Sequence, residues 1–162
     1  MYVYIIDTSS LIGLKNTYPQ RESPEVWEKI EELCKNGKLI APLEVKREIE
    51  AGGDELVSWV KNKNFMFKTP DELQIRKVKD ILEKFPFLAK PDRLDPNADP
   101  WVIALALAER ENKRMFNQEY VCIIITEESK RRHNGIPAVA NHYGIECINL
   151  IELFRREWIR TL

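Results

Sequence analysis

The sequence has no long hydrophobic run, and it has few of the residues that build disulfide-rich or zinc-stabilised folds. No segment approaches the roughly 18 apolar residues that a membrane span needs, and Met1 leads directly into a strand-like run. The three cysteines, Cys34, Cys122 and Cys147, are widely spaced in apolar runs, which argues against a disulfide framework and a zinc knuckle. We therefore expect a cytoplasmic protein with no membrane attachment, whose thiols are small buried side chains.

Motifs for several other chemistries are also missing. The chain has no Gly-rich phosphate loop of the P-loop or dinucleotide type and no G-x-S-x-G nucleophile elbow. Its two histidines, His133 and His142, lie in a polar turn and a late helix, which favours surface positions over a triad or metal ligands. An aspartyl-phosphate phosphatase ranks third among the hypotheses, because Asp7-Thr8-Ser9 lacks a second aspartate two residues after the first.

Net charge is small, at −1 from 25 basic and 26 acidic residues. This balance argues against a surface that attracts nucleic acid everywhere, so any polyanion must bind a local patch. The length of 162 residues, 44% of them hydrophobic, suits one domain over residues 1–162 with a single core.

Apolar runs rich in β-branched residues alternate with helix-like patterns. The predicted strands are Tyr2–Ile6, Leu39–Ala41, Val121–Ile125 and Ile145–Ile148, with Phe65–Phe67 as a shorter fifth. This alternation predicts a three-layer α/β/α sandwich around a mainly parallel sheet of four to five strands. Ser23-Pro24 and Asp99-Pro100 each place a capping residue before a proline, which predicts helix starts. The segment Trp101–Ala108 is apolar around its whole circumference and should be buried against the sheet.

Acidic residues gather where the predicted strands end, the edge at which parallel sheets bind ligands. They are Asp7 after the first strand, Glu44 and Glu48 in the helix after the second, Glu127 and Glu128 after Thr126, and Asp95 and Asp99 before the buried helix.

Each of these acids also has a purely structural interpretation. Asp7 and Asp99 are favoured helix-capping residues. Glu127 and Glu128 are suited to the first turn of a following helix, where they would interact with its dipole. A solvated helix face is the simplest hypothesis for Glu44, since on a helical wheel Glu48 falls nearer the apolar stripe.

Taken together, the acids are harder to explain structurally, because neighbouring carboxylates repel one another unless cations or protons compensate them. A divalent cation is the natural compensator. Oxygen donors without nearby His or Cys favour Mg²⁺ or Mn²⁺ over Zn²⁺. Such an ion can activate water for an in-line phosphoryl displacement.

One basic run, Lys130-Arg131-Arg132-His133, directly follows these last acids. Charge runs are usually solvated faces, but phosphate binding next to an acidic metal site needs positive charge there. Arg155, Arg156 and Arg160 in the predicted last helix are candidates to extend this patch.

The order and spacing of these segments resemble the PIN-domain family, including VapC-type toxin ribonucleases. The matching segments are Ile5-Ile6-Asp7-Thr8-Ser9, Ala41-Pro42 with Val45-x-x-Glu48-Ile49, Asp99-Pro100-Trp101 with Ala104, and Ile124-Ile125-Thr126-x-Glu128. Most of that family has aspartate where this chain has Glu128, and the adjacent Glu127 leaves the alignment open by one residue. The final acidic motif resembles a PIN subgroup with Thr-Glu-Glu.

The resemblance implies a metal site and a reaction. It assigns Asp7, Glu48, Asp99 and Glu128 as catalytic metal ligands, Asp95 as an outer ligand, and Ser9 and Thr126 as hydroxyl-bearing neighbours of the ligands. From their positions in the sequence we add Glu127 as a further neighbour and Lys130, Arg131 and Arg132 as candidate RNA contacts. The implied reaction is Mg²⁺- or Mn²⁺-dependent hydrolysis of RNA, leaving a 5′-phosphate and a 3′-hydroxyl. The implied partners are the RNA substrate, an antitoxin protein and a second copy of the chain. The competing hypothesis is a PIN-like module that does not cut and serves RNA binding or protein interaction.

Overall fold

A five-stranded, all-parallel sheet forms the centre of the protein. The computed structural model describes residues 2–90, 97–115 and 121–159. The strand order is β3-β2-β1-β4-β5. The strands are β1 (Tyr2–Ile6), β2 (Leu39–Pro42), β3 (Phe67–Lys68), β4 (Val121–Ile125) and β5 (Glu146–Ile148).

The central strand β1 pairs in parallel with β2 and with β4, in a register that runs from Tyr2 opposite Val121 to Ile6 opposite Ile125. A parallel strand covered on both faces is a nearly continuous apolar run, which is why β1 and β4 match their predicted bounds. The weaker edge strands β3 and β5 differ from prediction at their ends.

Helices follow the strands and cover the sheet in a three-layer α/β/α sandwich, which confirms the predicted fold class. They are α1 (Thr8–Thr17), α2 (Pro24–Lys35), α3 (Leu43–Gly52), α4 (Leu56–Lys61), α5 (Glu72–Lys84), α6 (Asp99–Met115), α7 (Ile136–His142) and α8 (Leu150–Phe154), with a 3₁₀ turn at Pro86–Ala89 and a π-helical turn at Arg155–Ile159.

The predicted helix starts are confirmed in one case and corrected in the other. Helix α2 begins at Pro24 after the capping position Ser23, as predicted. Helix α6 begins at Asp99 itself, so Asp99 is its first helical residue and not the flanking cap. Residues 102–108 of α6 are buried, as the apolar circumference predicted.

The core is continuous through the sheet and its covering helices. Cys34, Cys122 and Cys147 are buried free thiols, as predicted. Across the described ranges, no helix has both the length and the apolar character needed to cross a membrane.

Candidate metal-binding site

The candidate site lies at the topological switch point of the sheet. Successive strands β1, β2 and β3 progress toward one edge, whereas β4 and β5 lie on the other side of β1. In open α/β sheets the crevice at such a point, beyond the carboxyl ends of the strands, is the usual ligand site. Asp7 follows β1 and Thr126 follows β4, and the Asp7 amide donates to the Ile125 carbonyl at 3.0 Å. The two polar residues therefore flank the crevice.

Asp7 is a buried carboxylate held by three residues, two in α1 and one after β4. Its Oδ1 accepts from the Ser10 amide at 2.8 Å, which makes Asp7 the N-cap of α1 as one hypothesis predicted. The Ser9 hydroxyl lies 2.8 and 2.9 Å from the two carboxylate oxygens, and the Thr126 hydroxyl donates to Oδ2 at 2.5 Å. The hydroxyl groups of Ser9 and Thr126 therefore contact the Asp7 carboxylate directly.

The surroundings of Asp7 raise its pKa to about 7, because burial penalises the charged form. Hydrogen bonds from Thr126, the Ser10 amide and Ser9 act in the opposite direction, but they are outweighed by burial. A cation placed beside Asp7 would favour the ionised carboxylate.

Two further carboxylates lie on α3, one helical turn apart. The Thr8 hydroxyl donates to Glu48 Oε1 at 2.5 Å, which ties α3 to the start of α1. Glu44 is only 7% exposed, its pKa is raised by burial, and its Oε2 has no hydrogen-bond partner among the described residues. The prediction of a solvated Glu44 is therefore wrong. Of the two glutamates, Glu48 is the more exposed. Glu44 lies in the first turn of α3, which directly follows the carboxyl end of β2.

The chain after Thr126 does not turn into a helix, which corrects the first-turn prediction for Glu127 and Glu128. Residues 126–135 are a loop, and α7 begins at Ile136. Glu128 Oε2 accepts from the Ile136 amide at 2.7 Å. Glu127 Oε1 accepts from the amide of Leu150, the first residue of α8, at 2.9 Å. Each carboxylate thus caps a different helix that lies further along the chain.

The same loop is fixed to the hydroxyl groups that hold Asp7. The Glu127 amide donates to Ser9 Oγ at 3.1 Å, and the Glu128 amide donates to Thr126 Oγ1 at 3.1 Å. Asp7 and the Thr-Glu-Glu segment therefore form one hydrogen-bonded unit.

Asp99 has a cationic partner that the sequence did not reveal. The Lys90 ammonium lies 2.6 Å from Asp99 Oδ2, and the Asp99 side chain is 13% exposed. Lys90 adopts a left-handed conformation with φ 44°. The ammonium neutralises Asp99 in the manner that a metal ion would. Asp95, predicted as an outer ligand, lies outside the described residues.

Among the described residues, the predicted phosphate contacts divide into those with no ion pair and those paired with an acid. Lys130, Arg131 and Arg132 are exposed on the loop after Thr126, beside the acidic segment as predicted. Arg155 and Arg156 are instead paired with nearby glutamates, which weakens the prediction that they extend the phosphate patch. Arg160 lies outside the described residues.

The donor set fits a hard divalent cation in its chemistry, although it is not assembled as a cage. Every candidate ligand is a carboxylate, the donor type that Mg²⁺ and Mn²⁺ prefer. Buried Asp7 and the unpartnered Glu44 Oε2 are oxygens that a cation would satisfy. Within the described part of the chain, no three His, Cys, Asp or Glu side chains are grouped closely enough to hold an ion together.

Comparison with known proteins gives a family and no function. No curated protein matches the sequence. A family model described as a domain of unknown function, DUF4411, matches residues 4–161. Because the match covers nearly the whole chain, the protein belongs to the DUF4411 family.

Proposed function

We propose that this protein is a metal-dependent endoribonuclease similar to the PIN-domain enzymes. The observation that carries the proposal is Asp7, a buried carboxylate at the switch point, held by hydroxyl groups from α1 and from the end of β4. A carboxylate that only capped α1 would have no need of burial. Asp71 caps α5 with the same 2.8 Å bond to the amide three residues later, and it is exposed.

The proposed ligands are Asp7, Glu48, Asp99 and Glu128, with Asp95 as an outer ligand, as the PIN resemblance implies. Glu44 Oε2 adds a donor one turn from Glu48 on the same helix. A bound Mg²⁺ or Mn²⁺ supplies an activated water and neutralises charge on the phosphate under attack.

The protein groups around these ligands have distinct tasks in this proposal. Ser9 and Thr126 orient the Asp7 carboxylate by donating hydrogen bonds to it. Glu127 holds the start of α8 through the Leu150 amide and thereby fixes the segment next to Glu128. Lys90 compensates the charge of Asp99 in the metal-free protein.

Substrate and partners follow from the resemblance to VapC-type toxins. RNA is the proposed substrate, and the exposed Lys130, Arg131 and Arg132 are the proposed contacts to its phosphates. An antitoxin protein and a second copy of the chain are the proposed partners.

A second candidate function, an RNA-binding module without cleavage, is favoured by one feature of the site. Glu127 and Glu128 cap helices and Asp99 pairs with Lys90, so each of these acids has a structural task that needs no metal. The acidic residues that follow the strands at this edge of the sheet nevertheless favour the enzyme, because a module that only binds RNA gains nothing from negative charge beside a phosphate.

A cleavage assay with a matched variant separates these candidates. A 5′-labelled RNA pool is incubated with Mg²⁺, Mn²⁺ or EDTA, and the product ends are identified. We expect metal-dependent cuts that leave a 5′-phosphate and a 3′-hydroxyl, and their loss in Asp7→Asn. Asp71→Asn removes the same charge from the same kind of cap and should cut normally. Absence of cleavage with either metal, while RNA still binds, would favour the binding module.

A further inference from the structure

A cleft of about 660 Å³ opens beside the candidate metal site, beyond the ends of β4 and β5. Its wall begins at Thr126, whose hydroxyl contacts Asp7, and continues along the loop to Lys130. Pro137, Cys147 and Ile148 provide an apolar part of the lining. The volume lies in the range of pockets that take small organic ligands.

The charge of the cleft does not suit a phosphate pocket. Its ionisable lining is Glu127, Glu128, Glu146 and Glu152 against Lys130, Arg155 and Arg156. With four acids and three bases, the interior offers a phosphate no net attraction. A ligand group that is flat, neutral and able to stack fits this lining better.

Arg156 lines the cleft and is held by two glutamates. Its Nη1 and Nη2 donate to the two carboxylate oxygens of Glu146 at 3.0 and 2.8 Å. Its Nε donates to Glu152 Oε1 at 3.1 Å, and the side chain is 18% exposed. All three guanidinium nitrogens are therefore engaged in the plane of the group. These bonds use three of the five N–H groups of Arg156, and none of them uses the planar surface of the guanidinium, on which bases stack.

Two neighbouring groups are placed to bind other parts of a nucleotide. Asn149 uses its Oδ1 to cap α8 through the Glu152 amide, so its amide nitrogen is the part left to meet a base edge. Lys130 is exposed and forms no ion pair with the described residues, which suits it to a phosphate at the rim.

We propose that this cleft receives one base of single-stranded RNA, stacked on the Arg156 guanidinium, with the adjoining phosphate at Lys130. The proposal rests on the proposed RNA substrate, and it adds a base-binding subsite next to the cleavage site. The simpler alternative is that Arg156 only ties β5 to α8 through its two glutamates.

The test compares a single-stranded oligoribonucleotide with an abasic strand of the same length, in EDTA and at fixed salt. Fluorescence anisotropy should show the wild-type protein binding the base-containing strand on the order of ten-fold more tightly. Arg156→Lys keeps the charge but lacks the planar face, so it should lose this preference and bind the abasic strand as before. Arg76→Lys, at an exposed arginine of α5 that does not line the cleft, is the control and should keep the preference.

A second measurement does not depend on how any variant folds. Ligand-observed NMR on the wild-type protein should detect adenosine 5′-monophosphate and not ribose 5-phosphate. Retention of the base preference by Arg156→Lys, or equal binding of the two small ligands, overturns the subsite. If the protein prefers strands with bases but does not cleave RNA, only the nuclease proposal is contradicted. If it cleaves RNA but shows no preference for bases, only the subsite is contradicted.

Discussion

Asp7 and Asp71 carry the same capping hydrogen bond in very different surroundings. Both accept from the amide three residues later at 2.8 Å, but Asp7 is 2% exposed, whereas Asp71 is exposed. Burial is what raises the pKa of Asp7 to about 7. The metal-free protein therefore bears a cost at Asp7 whenever that carboxyl is ionised.

The first prediction is a pH-dependent stability that belongs to Asp7. Its pKa is higher in the folded protein than the ordinary value of 3.8, so the folded state binds the proton more tightly. The resulting stabilisation is fully present below about pH 4 and is lost as pH rises through about 7. Between pH 5 and 7 the loss is on the order of 2–3 kcal/mol.

Urea unfolding of the metal-free protein at several pH values measures this effect. Asp7→Asn cannot titrate there, and its free energy of unfolding should fall less over the same interval. It retains an acceptor for the Ser10 amide, so the cap is preserved. Asp71→Asn serves as the control and should follow the wild-type pH profile. Parallel profiles for the wild-type protein and Asp7→Asn would contradict the raised pKa.

The second prediction concerns Glu44, whose buried Oε2 has no partner among the described residues. Glu44→Met fills a similar volume without a charge, so the metal-free protein should gain about 1 kcal/mol in its free energy of unfolding. The added stability that Mn²⁺ confers should shrink in the same variant, because one proposed donor is gone. Glu50→Met, at an exposed position of the same helix, should change neither quantity. An unchanged Mn²⁺ effect in Glu44→Met would place Glu44 outside the metal site.

At the scale of elements, strands were predictable and side-chain partners were not. The bounds of β1 and β4 could be predicted because a buried parallel strand leaves an uninterrupted apolar run in the sequence. The position of Asp7 at the end of β1 followed from the same pattern. The partner of Glu127 is 23 residues away at Leu150, and no local pattern encodes that contact.

The burial of Glu44 illustrates a different limit of prediction from sequence. A helical wheel ranks positions around the axis of α3, but it does not record where along the axis the sheet ends. Glu44 is buried because it lies in the first turn, directly after β2. The ion pair between Lys90 and Asp99 could not be predicted either, because no local sequence pattern encodes a contact between residues nine positions apart.

The third prediction tests how the loop after β4 is held to α7. A Cβ added at Gly135 would lie 2.6 Å from Glu128 Oε2, the oxygen that accepts from the Ile136 amide. Gly135 is extended, with φ −116°, so an alanine there meets no backbone strain. Gly135→Ala should therefore displace the carboxylate and cost about 1 kcal/mol, the usual cost of a lost helix cap.

A double-mutant cycle measured by urea unfolding isolates that contact. In a Glu128→Ala background, Gly135→Ala should cost almost nothing, because the carboxylate is no longer there to displace. Gly52→Ala is the matched control, since its Cβ would meet no atom within 4 Å. That variant should be as stable as the wild-type protein or slightly more so. Additive losses from Gly135→Ala and Glu128→Ala would mean that the two positions act independently.

At the scale of the whole molecule, the sheet topology explains how a nearly neutral chain assembles a charged site. Asp7 and Thr126 are 119 residues apart in sequence, and the pairing of β1 with β4 brings them into hydrogen-bond contact. The basic residues Lys130, Arg131 and Arg132 follow within a few positions of Thr126. A net charge of −1 gives no general attraction for RNA, so the proposed RNA binding requires this local cluster.

The last prediction follows from that dependence. Replacing Lys130, Arg131 and Arg132 together by Ala should weaken RNA binding, because each phosphate contact releases counterions from the nucleic acid. On single-stranded RNA the slope of log K against log salt should become shallower by about 2, at roughly 0.7 for each contact. Anisotropy titrations from 50 to 300 mM KCl in EDTA measure the slope.

The control replaces three exposed basic residues on α2 and α5, Lys35, Arg76 and Lys79, for the same change in net charge. If both triple variants lose affinity equally, RNA responds to overall charge, and the run after Thr126 is an ordinary solvated surface.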